Sequence, residues 1–319
     1  MLIVRRPPPN ASAHRGAVVA LGNFDGVHRG HQALLAETCA IAAREHARPG
    51  AIIFEPHPQR FFRKDAEPFR LTPFRPKTHL LQACGIEHVF ALPFDAAMAR
   101  TSAEDFIRNI LVRDLGVRHV ITGADFLFGK GRAGNVALLS SMGRSSGLGV
   151  TIFRTIASPA GTKISSTLIR NALREGRMDD AGWALGHWWT VEGRVQPGDK
   201  RGRTIGFPTA NVSLKDYIEP ALGVYAVRVK WGEGASARVH DGVANFGRRP
   251  TFDKKDVLLE VHLFDYAGDL YGQHIAVSFI SHLRSEQKFS GLDALKAQIA
   301  RDAETAREIL ARSPARPPI

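Results

Sequence analysis

Two histidines follow a glycine-rich turn near the start of the chain, and their spacing suits phosphate chemistry. The segment Gly22–His31 reads Gly-Asn-Phe-Asp-Gly-Val-His-Arg-Gly-His and comes after the apolar run Ala17–Leu21. This pattern predicts a buried strand, a turn, and a helix whose first turn presents His28 and His31. Glycines let a ligand approach the backbone, and a helix N-terminus offers unpaired N–H groups with partial positive charge. The segment therefore predicts a phosphate cradle.

The same residues are compatible with two alternatives to phosphate binding. A helix start that faces solvent can carry two histidines without binding anything. Zinc binding is the second alternative, but no cysteine or further histidine lies nearby at ligand spacing. The glycines, the preceding strand and the nearby carboxylate favour phosphate binding. The predicted phosphate contacts are Gly22, Asn23, Phe24, Asp25, His28 and His31.

A second turn, Gly123–Lys130, follows another predicted strand and combines a carboxylate with aromatic rings. Asp125 can hold a ribose hydroxyl or a metal, and the rings of Phe126 and Phe128 can stack on a planar ligand. A buried structural turn would account for these residues equally well. The turn is therefore a candidate contact for a nucleotide or another flat ligand.

Two other segments of the first half carry groups that suit a ligand. Ser165, Ser166 and Thr167 open a predicted helix, where hydroxyls usually serve as caps. Arg170 stands one turn later, and its guanidinium is a charged fork suited to phosphate. After the strand that ends at Phe54, the sequence Glu-Pro-His-Pro leads to two further rings. These rings, Phe61 and Phe62, can wall a flat ligand, although core packing accounts for them as well.

A basic, glycine-rich loop marks the second half of the chain. Residues 198–211 read Gly-Asp-Lys-Arg-Gly-Arg-Thr-Ile-Gly-Phe-Pro-Thr-Ala-Asn. Thr209 and Asn211 supply two neutral oxygens, a modest pair for Mg²⁺ that needs phosphate to complete the ion's shell. A loop that is only solvated is the alternative. The predicted phosphate contacts in this loop are Gly198, Lys200, Gly202 and Arg203.

A carboxylate in the second half is a candidate general base. In the segment Leu259–Asp265, alternation predicts a strand with Glu260 and His262 on the face opposite Leu259 and Val261. A carboxylate that faces a barrel cavity can accept a proton. A surface glutamate on a half-exposed strand is the alternative.

The elements that position the first group of residues alternate between strands and helices. Ser102, with Glu104 and Asp105, caps a predicted helix whose apolar face runs from Phe106 to Leu115. Strands separated by helices predict a mostly parallel sheet, with its ligand crevice at the carboxyl ends of the strands. The predicted strands are 17–21, 51–54, 88–92, 119–122 and 150–153.

After about residue 188 the pattern changes to strands joined by Gly- or Asp-rich turns. One helix follows, roughly 292–310, and a helical stretch over 165–185 joins the two halves. This order predicts a compact antiparallel β-barrel closed by a terminal helix. We therefore expect two domains, at residues 1–185 and 186–319. The predicted strands of the second are 190–195, 224–231, 238–245, 258–264 and 275–283.

Composition narrows the class of protein. A chain of 319 residues suits two domains, and its two cysteines imply no disulfide framework. The first residues lack a signal peptide's apolar core, so we expect a soluble, cytoplasmic protein. A net charge of +12 indicates anionic partners, either nucleic acid or polyphosphate ligands. The basic residues form no dense block, so charge alone does not choose between these partners.

The motifs together resemble one family, the bacterial bifunctional riboflavin kinase/FMN adenylyltransferases or FAD synthetases. The resemblance runs from about Gly16 to Arg307. In the second half it also covers Gly242–Phe252, Leu259–Gly272 and Phe279–Asp302. The Gly-Phe-Pro-Thr-Ala-Asn string and the His-Arg-Gly-His string, in one chain, are very specific to this family.

The resemblance implies an N-terminal nucleotidyltransferase domain of Rossmann-like type, followed by a C-terminal riboflavin kinase β-barrel. It implies that His28 and His31 contact the ATP phosphates in adenylyl transfer, assisted by the hydroxyls at 165–167 and by Arg170, and that Asp125 helps to place the nucleotide. It further implies that Thr209 and Asn211 position Mg²⁺-ATP and that Glu260 activates the riboflavin hydroxyl. The expected flavin contacts are the rings of Phe61, Phe62 and Phe128, and the resemblance adds Arg284 as a weaker candidate.

The expected function is therefore two sequential magnesium-dependent reactions, riboflavin to FMN and FMN to FAD. The expected partners are riboflavin, FMN and ATP, with no nucleic acid and no membrane, and the sequence leaves the oligomeric state open. An adenylyltransferase for a pantetheine or nicotinate nucleotide is one rival, although it has no need of the second domain. An RNA-binding regulatory protein is the other, and salt-dependent RNA binding without flavin turnover would favour it.

Overall fold

The chain is described by a computed structural model over residues 1–5, 14–63, 67–154, 156–157, 161–197, 206–232, 234–248 and 257–314. The chain divides into two compact units, residues 1–66 with 74–165, and residues 67–73 with 166–318. The segment 67–73 therefore packs with the second unit although its sequence neighbours belong to the first. The helical stretch after 165 also groups with the second unit, whereas the division at 185 and 186 stays a prediction.

The first unit contains a six-stranded parallel sheet in the order β1-β4-β3-β2-β5-β6. From β2 the chain adds β3 and β4 on one side of the sheet and β5 and β6 on the other, so the direction of strand addition changes at β2. A ligand crevice is expected at the carboxyl ends of the strands beside such a point. All five predicted strands are confirmed. The sixth strand, β1, was not predicted, because three residues are too few for a periodic signal. The strands are β1 (Leu2–Val4), β2 (Val18–Leu21), β3 (Pro49–Glu55), β4 (His88–Pro93), β5 (His119–Gly123) and β6 (Gly149–Phe153).

Helices cover both faces of this sheet. The helices α1 and α3 bury Leu35 and Leu81 in the cluster that contains Val18 and Ala20, and α6 buries Leu139 in the cluster that contains Val19. Apolar clusters on both faces explain why the central strands read as continuous apolar runs. The helices are α1 (Arg29–Arg44), α2 (Pro58–Phe62), α3 (Phe74–Ala83), α4 (Ala96–Arg100), α5 (Ala103–Asp105) and α6 (Val136–Ser146).

The helix predicted after Ser102 differs in its hydrogen bonding. The Asp105 N–H donates to the Ser102 hydroxyl at 3.0 Å, so the predicted N-cap is confirmed. From Phe106 to Asp114, however, the backbone forms a π-helix, and the Leu115 N–H donates to the Ile110 carbonyl at 2.9 Å. The apolar side chains still reach the core, because widening the helix changes the bonding partner but keeps one face buried.

The second unit contains a six-stranded antiparallel sheet in the order β7-β12-β9-β10-β11-β8. The Gln196 N–H, just after β7, donates to the Asn211 carbonyl of β8 at 2.9 Å and links the two edges. This link shows that the sheet curls round toward itself. The second unit is thus an antiparallel half-barrel, and the predicted antiparallel architecture is confirmed. The strands are β7 (Trp189–Arg194), β8 (Ala210–Val212), β9 (Gly223–Trp231), β10 (Arg238–Arg248), β11 (Val257–Leu263) and β12 (His274–Arg284).

The two faces of the half-barrel have different neighbours. One face buries the apolar interior, to which Tyr225, Phe246 and Leu259 belong. The other face packs against the terminal helix α9 (Leu292–Arg312), where Val224 and Val243 meet Ala306 and Leu310. The helices α7 (Ser166–Arg174) and α8 (Met178–Leu185) precede the sheet.

A short segment ties earlier sequence into the second unit. We name residues 67–73 the strap. The Trp189 indole N–H donates to the Leu71 carbonyl at 3.0 Å, and the Ile218 N–H donates to the Arg70 carbonyl at 2.8 Å. Leu71 and Trp189 are both fully buried. The strap is therefore part of the second unit's core.

Candidate active sites

The predicted phosphate cradle lies at the carboxyl end of β2, where the turn leads into α1. His28 is the N-cap residue of α1, and its Nδ1 accepts the His31 backbone N–H at 3.3 Å. A Cβ at Gly30 would stand 3.2 Å from the His28 ring, so glycine leaves room for the ring to fold over the helix start. This cap pairs one of the backbone N–H groups in the first turn of α1 that have no partner within the helix.

The backbone of this turn is strained at two non-glycine residues. Phe24 has a φ of +48° and Val27 a φ of +39°, and both side chains are buried. A β-branched residue rarely adopts a positive φ, and such conformations persist only where the surroundings enforce them. The Gln32 side chain donates to the Val27 carbonyl at 2.8 Å and provides one such restraint. Sequence reasoning credited the glycines with the turn and missed these two residues.

The two histidines form one stacked pair. Their ring centroids are 3.6 Å apart, with an angle of 18° between the planes. Burial lowers the pKa of His31 well below its usual value, and the nearby His28 and Lys77 lower that pKa further. His31 Nδ1 is buried and has no hydrogen-bond partner among the described residues. His31 is therefore neutral at pH 7 and holds a polar atom that a ligand can engage.

Lys77 is a charged residue of this site that sequence reasoning missed. It lies on α3 and is 2% exposed, and its Nζ donates to the Asn23 carbonyl at 2.9 Å. Asp25 is also buried at 2% exposure. Lys77 precedes the core residue Leu81 by four positions, so the two share the buried face of α3. This helical spacing was the sequence signal that could have indicated a buried lysine.

Asp125 follows β5, the strand next to β2. The two strand ends are joined where the Thr122 hydroxyl donates to the Leu21 carbonyl at 3.1 Å. Asp125 is mostly exposed and forms an ion pair with Lys163 at 2.5 Å. The hydrogen bond from Lys163 lowers the pKa of Asp125. Asp125 thus stays ionised at neutral pH, and Lys163 brings a second missed cation to this edge.

The predicted aromatic contacts divide into two environments. Phe61 and Phe62 cluster edge-to-face with Phe94, with ring centroids 5.2 to 5.8 Å apart. Phe62 is 67% exposed, an unusual exposure for a large apolar ring. Phe128 is instead 5% exposed and packs in the core against Phe106. Its ring faces are taken up by packing, which does not favour the predicted flavin contact at Phe128.

The hydroxyl run is split between the two units. Ser165 ends the part of the first unit that precedes α7, and Ser166, Thr167 and Arg170 lie on α7 in the second. Arg170 Nε donates to the Phe69 carbonyl of the strap at 2.8 Å, and its guanidinium lies 5.5 Å from the centre of the Phe69 ring. Arg170 therefore anchors the strap.

In the second unit, Glu260 lies in a row of polar residues. It is the direct cross-strand partner of Asn211 on β8 and of Asn245 on β10. Asn245 is in turn opposite Val224, which packs against α9. Opposite residues share a face, so Glu260 lies on the α9-bearing face. The predicted alternation is therefore confirmed: Leu259 and its neighbours fill the apolar interior, and Glu260 lies on the opposite face.

The predicted magnesium pair fits an oxygen-seeking ion. Asn211 is 4% exposed, and its Oδ1 is buried without a hydrogen-bond partner among the described residues. Thr209 lies two residues earlier and lines a small cavity. The other predicted loop residues, Gly198, Lys200, Gly202 and Arg203, lie outside the described residues. The cavity is lined by Val195, Pro208, Thr209, Ala210, Val261, Leu263, Tyr266, Gly268, Asp269, Leu270 and Tyr271.

Arg284, whose flavin role stays a prediction, forms an ion pair within the second unit. Its guanidinium donates to both oxygens of Asp302 on α9, at 2.8 to 3.1 Å, and to the Ser285 carbonyl at 3.0 Å. Asp302 also accepts from Gln298 at 2.8 Å. The pair ties the end of β12 to α9, so the guanidinium is engaged within the protein.

The side chains that commonly hold metals are dispersed in the described part of the chain. Within that part, no group of three or more His, Cys, Asp or Glu side chains could hold a metal ion. No helix among the described residues is both long enough and apolar enough to cross a membrane.

Similarity to known proteins covers both units. An FAD synthetase family model matches residues 10–168, and a riboflavin kinase family model matches residues 185–310. The bifunctional riboflavin kinase/FMN adenylyltransferase of Escherichia coli (strain K12) is 45% identical over 92% of each chain. The enzyme of the same name from Pseudomonas fluorescens is 42% identical, covering 94% of this chain and 95% of the relative.

A solved structure resembles the whole chain. It is described as a macrolide-efflux protein from Streptococcus pneumoniae and is 28% identical, with a TM-score of 0.84. The match covers 96% of this chain and 99% of that one. The two family models and the near-complete match to curated enzymes decide the family. The chain belongs to the bifunctional riboflavin kinase/FMN adenylyltransferase family and is an enzyme with both activities.

Proposed function

We propose that the two reactions use separate groups, Glu260 in the second unit and the His28–His31 pair in the first. Riboflavin is phosphorylated by ATP to FMN, and FMN is adenylylated by a second ATP to FAD. The observation that carries this proposal is that the two sets belong to different compact units. Each set lies beside buried polar atoms that have no partner among the described residues, at His31 and at Asn211.

In the kinase reaction, Glu260 is the proposed general base. The terminal hydroxyl of the ribityl chain attacks the γ-phosphorus of ATP, and its proton passes to the Glu260 carboxylate. The new O–P bond forms as the bond to the leaving ADP breaks, so no protein nucleophile is needed. The support is the position of Glu260 directly across from Asn211 on the neighbouring strand.

Mg²⁺ is the proposed cofactor of this site, with Thr209 and Asn211 as its protein ligands. The buried, partnerless Oδ1 of Asn211 supports this assignment, because such an atom is costly unless it binds something. Neutral ligands alone bind Mg²⁺ weakly, so the ion is expected to arrive with ATP. When bound, the ion would neutralise charge on the transferred phosphate.

In the adenylyl transfer, a phosphate oxygen of FMN attacks the α-phosphorus of ATP, and pyrophosphate leaves. His28 accepts a hydrogen bond at Nδ1, so a neutral His28 carries its proton on Nε2 and can donate it to the triphosphate. His31 stacks behind His28 at the same helix start. The gain is charge stabilisation and positioning rather than covalent chemistry.

Several residues are proposed to assist this transfer. The helix start supplies partial positive charge for the phosphates, with Gly22, Asn23, Phe24 and Asp25 shaping the turn. Asp125 is proposed to hold the nucleotide, which requires it to share or release Lys163. Phe61 and the exposed Phe62 are the proposed wall for the flavin ring. The assisting roles that the resemblance implies for the hydroxyls at 165–167 and for Arg170 stay predictions.

The proposed partners are small molecules. Riboflavin, FMN and ATP are the substrates that the enzyme's two activities require. Nucleic acid and membrane surfaces are not among the proposed partners, because the polyphosphate of ATP accounts for the preference for anions that the charge of +12 indicates. The cytoplasm is the proposed compartment, because both reactions consume ATP.

One experiment tests the proposal as a whole. The protein is incubated with riboflavin, ATP and MgCl₂, and the flavins are separated by chromatography at timed intervals. FMN should appear first and FAD should follow at its expense. Omitting magnesium should stop both steps. Formation of neither flavin product would contradict the proposed function.

A further inference from the structure

Lys77 is a buried cation beside the adenylyl-transfer site, and the roles proposed above do not use it. Its side chain is 2% exposed on α3, and its Nζ donates to the Asn23 carbonyl at 2.9 Å. Burying an ammonium removes its hydration, and this loss is destabilising unless partners offset it. A methionine or leucine would fill the same space without this loss of hydration, so the presence of a charge at this position requires a physical reason.

The bond that Lys77 makes falls at the strained part of the turn. The Asn23 carbonyl immediately precedes Phe24, which has a φ of +48°. A left-handed conformation at a residue other than glycine is strained and persists only where contacts enforce it. The hydrogen bond from Lys77 holds the peptide on the entry side of Phe24. It therefore restrains the conformation that brings the turn into the helix start.

The charge of Lys77 also acts on His31. Burial, His28 and Lys77 together lower the pKa of His31, in that order. The groups that face the His31 ring are His28 from its own helix start, the Phe24 ring of the turn, and Lys77 from α3. Asp25 and Arg29 are the other titratable groups of the same segment. A fixed cation thus lies close to the place where the triphosphate is proposed to bind.

We propose that Lys77 is a positioning residue for adenylyl transfer, which holds the Asn23 peptide of the strained turn and supplies a fixed positive charge near His31. This inference rests on the proposed role of His28 and His31. It adds α3 to the elements β2 and α1, which flank the strained turn.

The test compares Lys77→Met with Lys215→Met, a matched control at an exposed lysine of the second unit. The rate of FAD formation from FMN is measured against pH, and the His31 imidazole is titrated by NMR, with its signal assigned through His31→Gln. Lys77→Met should slow FAD formation about 10- to 100-fold, in the lower range for lost transition-state stabilisation. It should also raise the His31 titration midpoint, because one repulsive charge is gone.

The control, Lys215→Met, should change neither quantity, and phosphorylation of riboflavin should continue in both variants. Lys77→Arg keeps the charge and should keep the His31 midpoint low. If Lys77→Met does not fold, Lys77→Gln replaces it, because glutamine keeps a donor for the Asn23 carbonyl without the charge. A wild-type rate of FAD formation, or an unmoved His31 midpoint in the variant that lacks the charge, would overturn the inference.

The proposed function and this inference fail in different ways. A His28→Ala, His31→Ala double variant that made FAD at the wild-type rate would remove the proposed histidine roles. An inactive double variant beside a fully active Lys77→Met would leave those roles intact and would remove only the role of Lys77.

Discussion

Asn211 and Glu260 are direct cross-strand partners in the half-barrel, on the face that carries α9. Side chains that oppose each other in this way start about 4.5 to 5.5 Å apart at Cβ. A phosphate held near the Asn211 amide oxygen would therefore lie close to the carboxylate of Glu260, the proposed base. The spacing between the proposed metal ligand and the proposed base is thus set by the sheet register itself.

The role of Glu260 is tested by Glu260→Gln, which keeps the shape of the side chain but removes the base. Riboflavin phosphorylation should fall by about 100-fold or more. FAD formation from supplied FMN should stay near normal, because the His28–His31 pair belongs to the other unit. Glu308→Gln, at an exposed position on α9, is the matched control. Loss of both activities in a folded Glu260→Gln protein would mean that the two sites are shared or coupled.

The role of the histidine pair is tested by the His28→Ala, His31→Ala double variant. Formation of FAD should fall by about 100-fold or more, because donors to the triphosphate are lost. FMN should then accumulate from riboflavin. The His28 cap is also lost, so the free energy of unfolding should drop by about 1 kcal/mol. His79→Ala on α3 is an exposed control, and normal FAD formation in the double variant would refute the assignment.

The strands of both sheets were predictable from sequence because their side chains follow burial closely. Runs such as Ala51–Phe54 are buried on both faces, and the alternation at Leu259 and Glu260 marks one buried face. The strands β1 and β8 have three residues each, which is too short for either pattern. The π-helix escaped prediction because its apolar spacing resembles that of an α-helix.

The parts of the sites that sequence could not supply depend on contacts between distant residues. Lys77 reaches a carbonyl 54 positions away, and Lys163 pairs with Asp125 across 38 positions. The clamp between Arg284 and Asp302 likewise joins two elements that are separate in sequence. Local motifs identified the cradle and Glu260, whereas the tertiary fold selects the groups that surround them.

The magnesium proposal predicts binding that depends on nucleotide. Thr209 and Asn211 are neutral, so Mg²⁺ alone should bind weakly to the protein and clearly more tightly when an unreactive ATP analogue is present. Titration calorimetry measures both cases. Asn211→Ala should weaken the binding seen with nucleotide. Tight binding of Mg²⁺ without nucleotide that survives Asn211→Ala would contradict the proposed ligands.

The Arg284 clamp predicts an effect on stability rather than on flavin affinity. The Asp302 side chain is only 8% exposed, so Arg284→Met leaves a buried carboxylate without its guanidinium partner. The free energy of unfolding, measured in urea, should fall by about 3 kcal/mol. The double variant Arg284→Met, Asp302→Leu should recover much of this loss, because no carboxylate stays buried. If Arg284→Met raised the KM for riboflavin at unchanged stability, the guanidinium would be a flavin contact after all.

Stability should fall in mild acid because buried histidines must take up protons on unfolding. Burial lowers the pKa values of His14, His31 and His88 below the usual 6.5. At pH values below about 6.5 the unfolded chain binds more protons at these sites than the folded one, so the free energy of unfolding decreases as the pH falls. The lowered carboxylate pKa values, at Asp125 and Asp265, act only in stronger acid.

The measurement is urea unfolding between about pH 7.5 and pH 5, a range that separates the histidines from the carboxylates. His88→Asn removes one titrating group from the core, so its stability should depend less steeply on pH than that of the wild type, even if its stability at the upper end of the range is lower. His79→Ala, at an exposed histidine, should leave the slope unchanged. If the free energy of unfolding of the wild type were the same at both ends of the range, these histidines would have the same pKa values in the folded and unfolded states, and the prediction would be wrong.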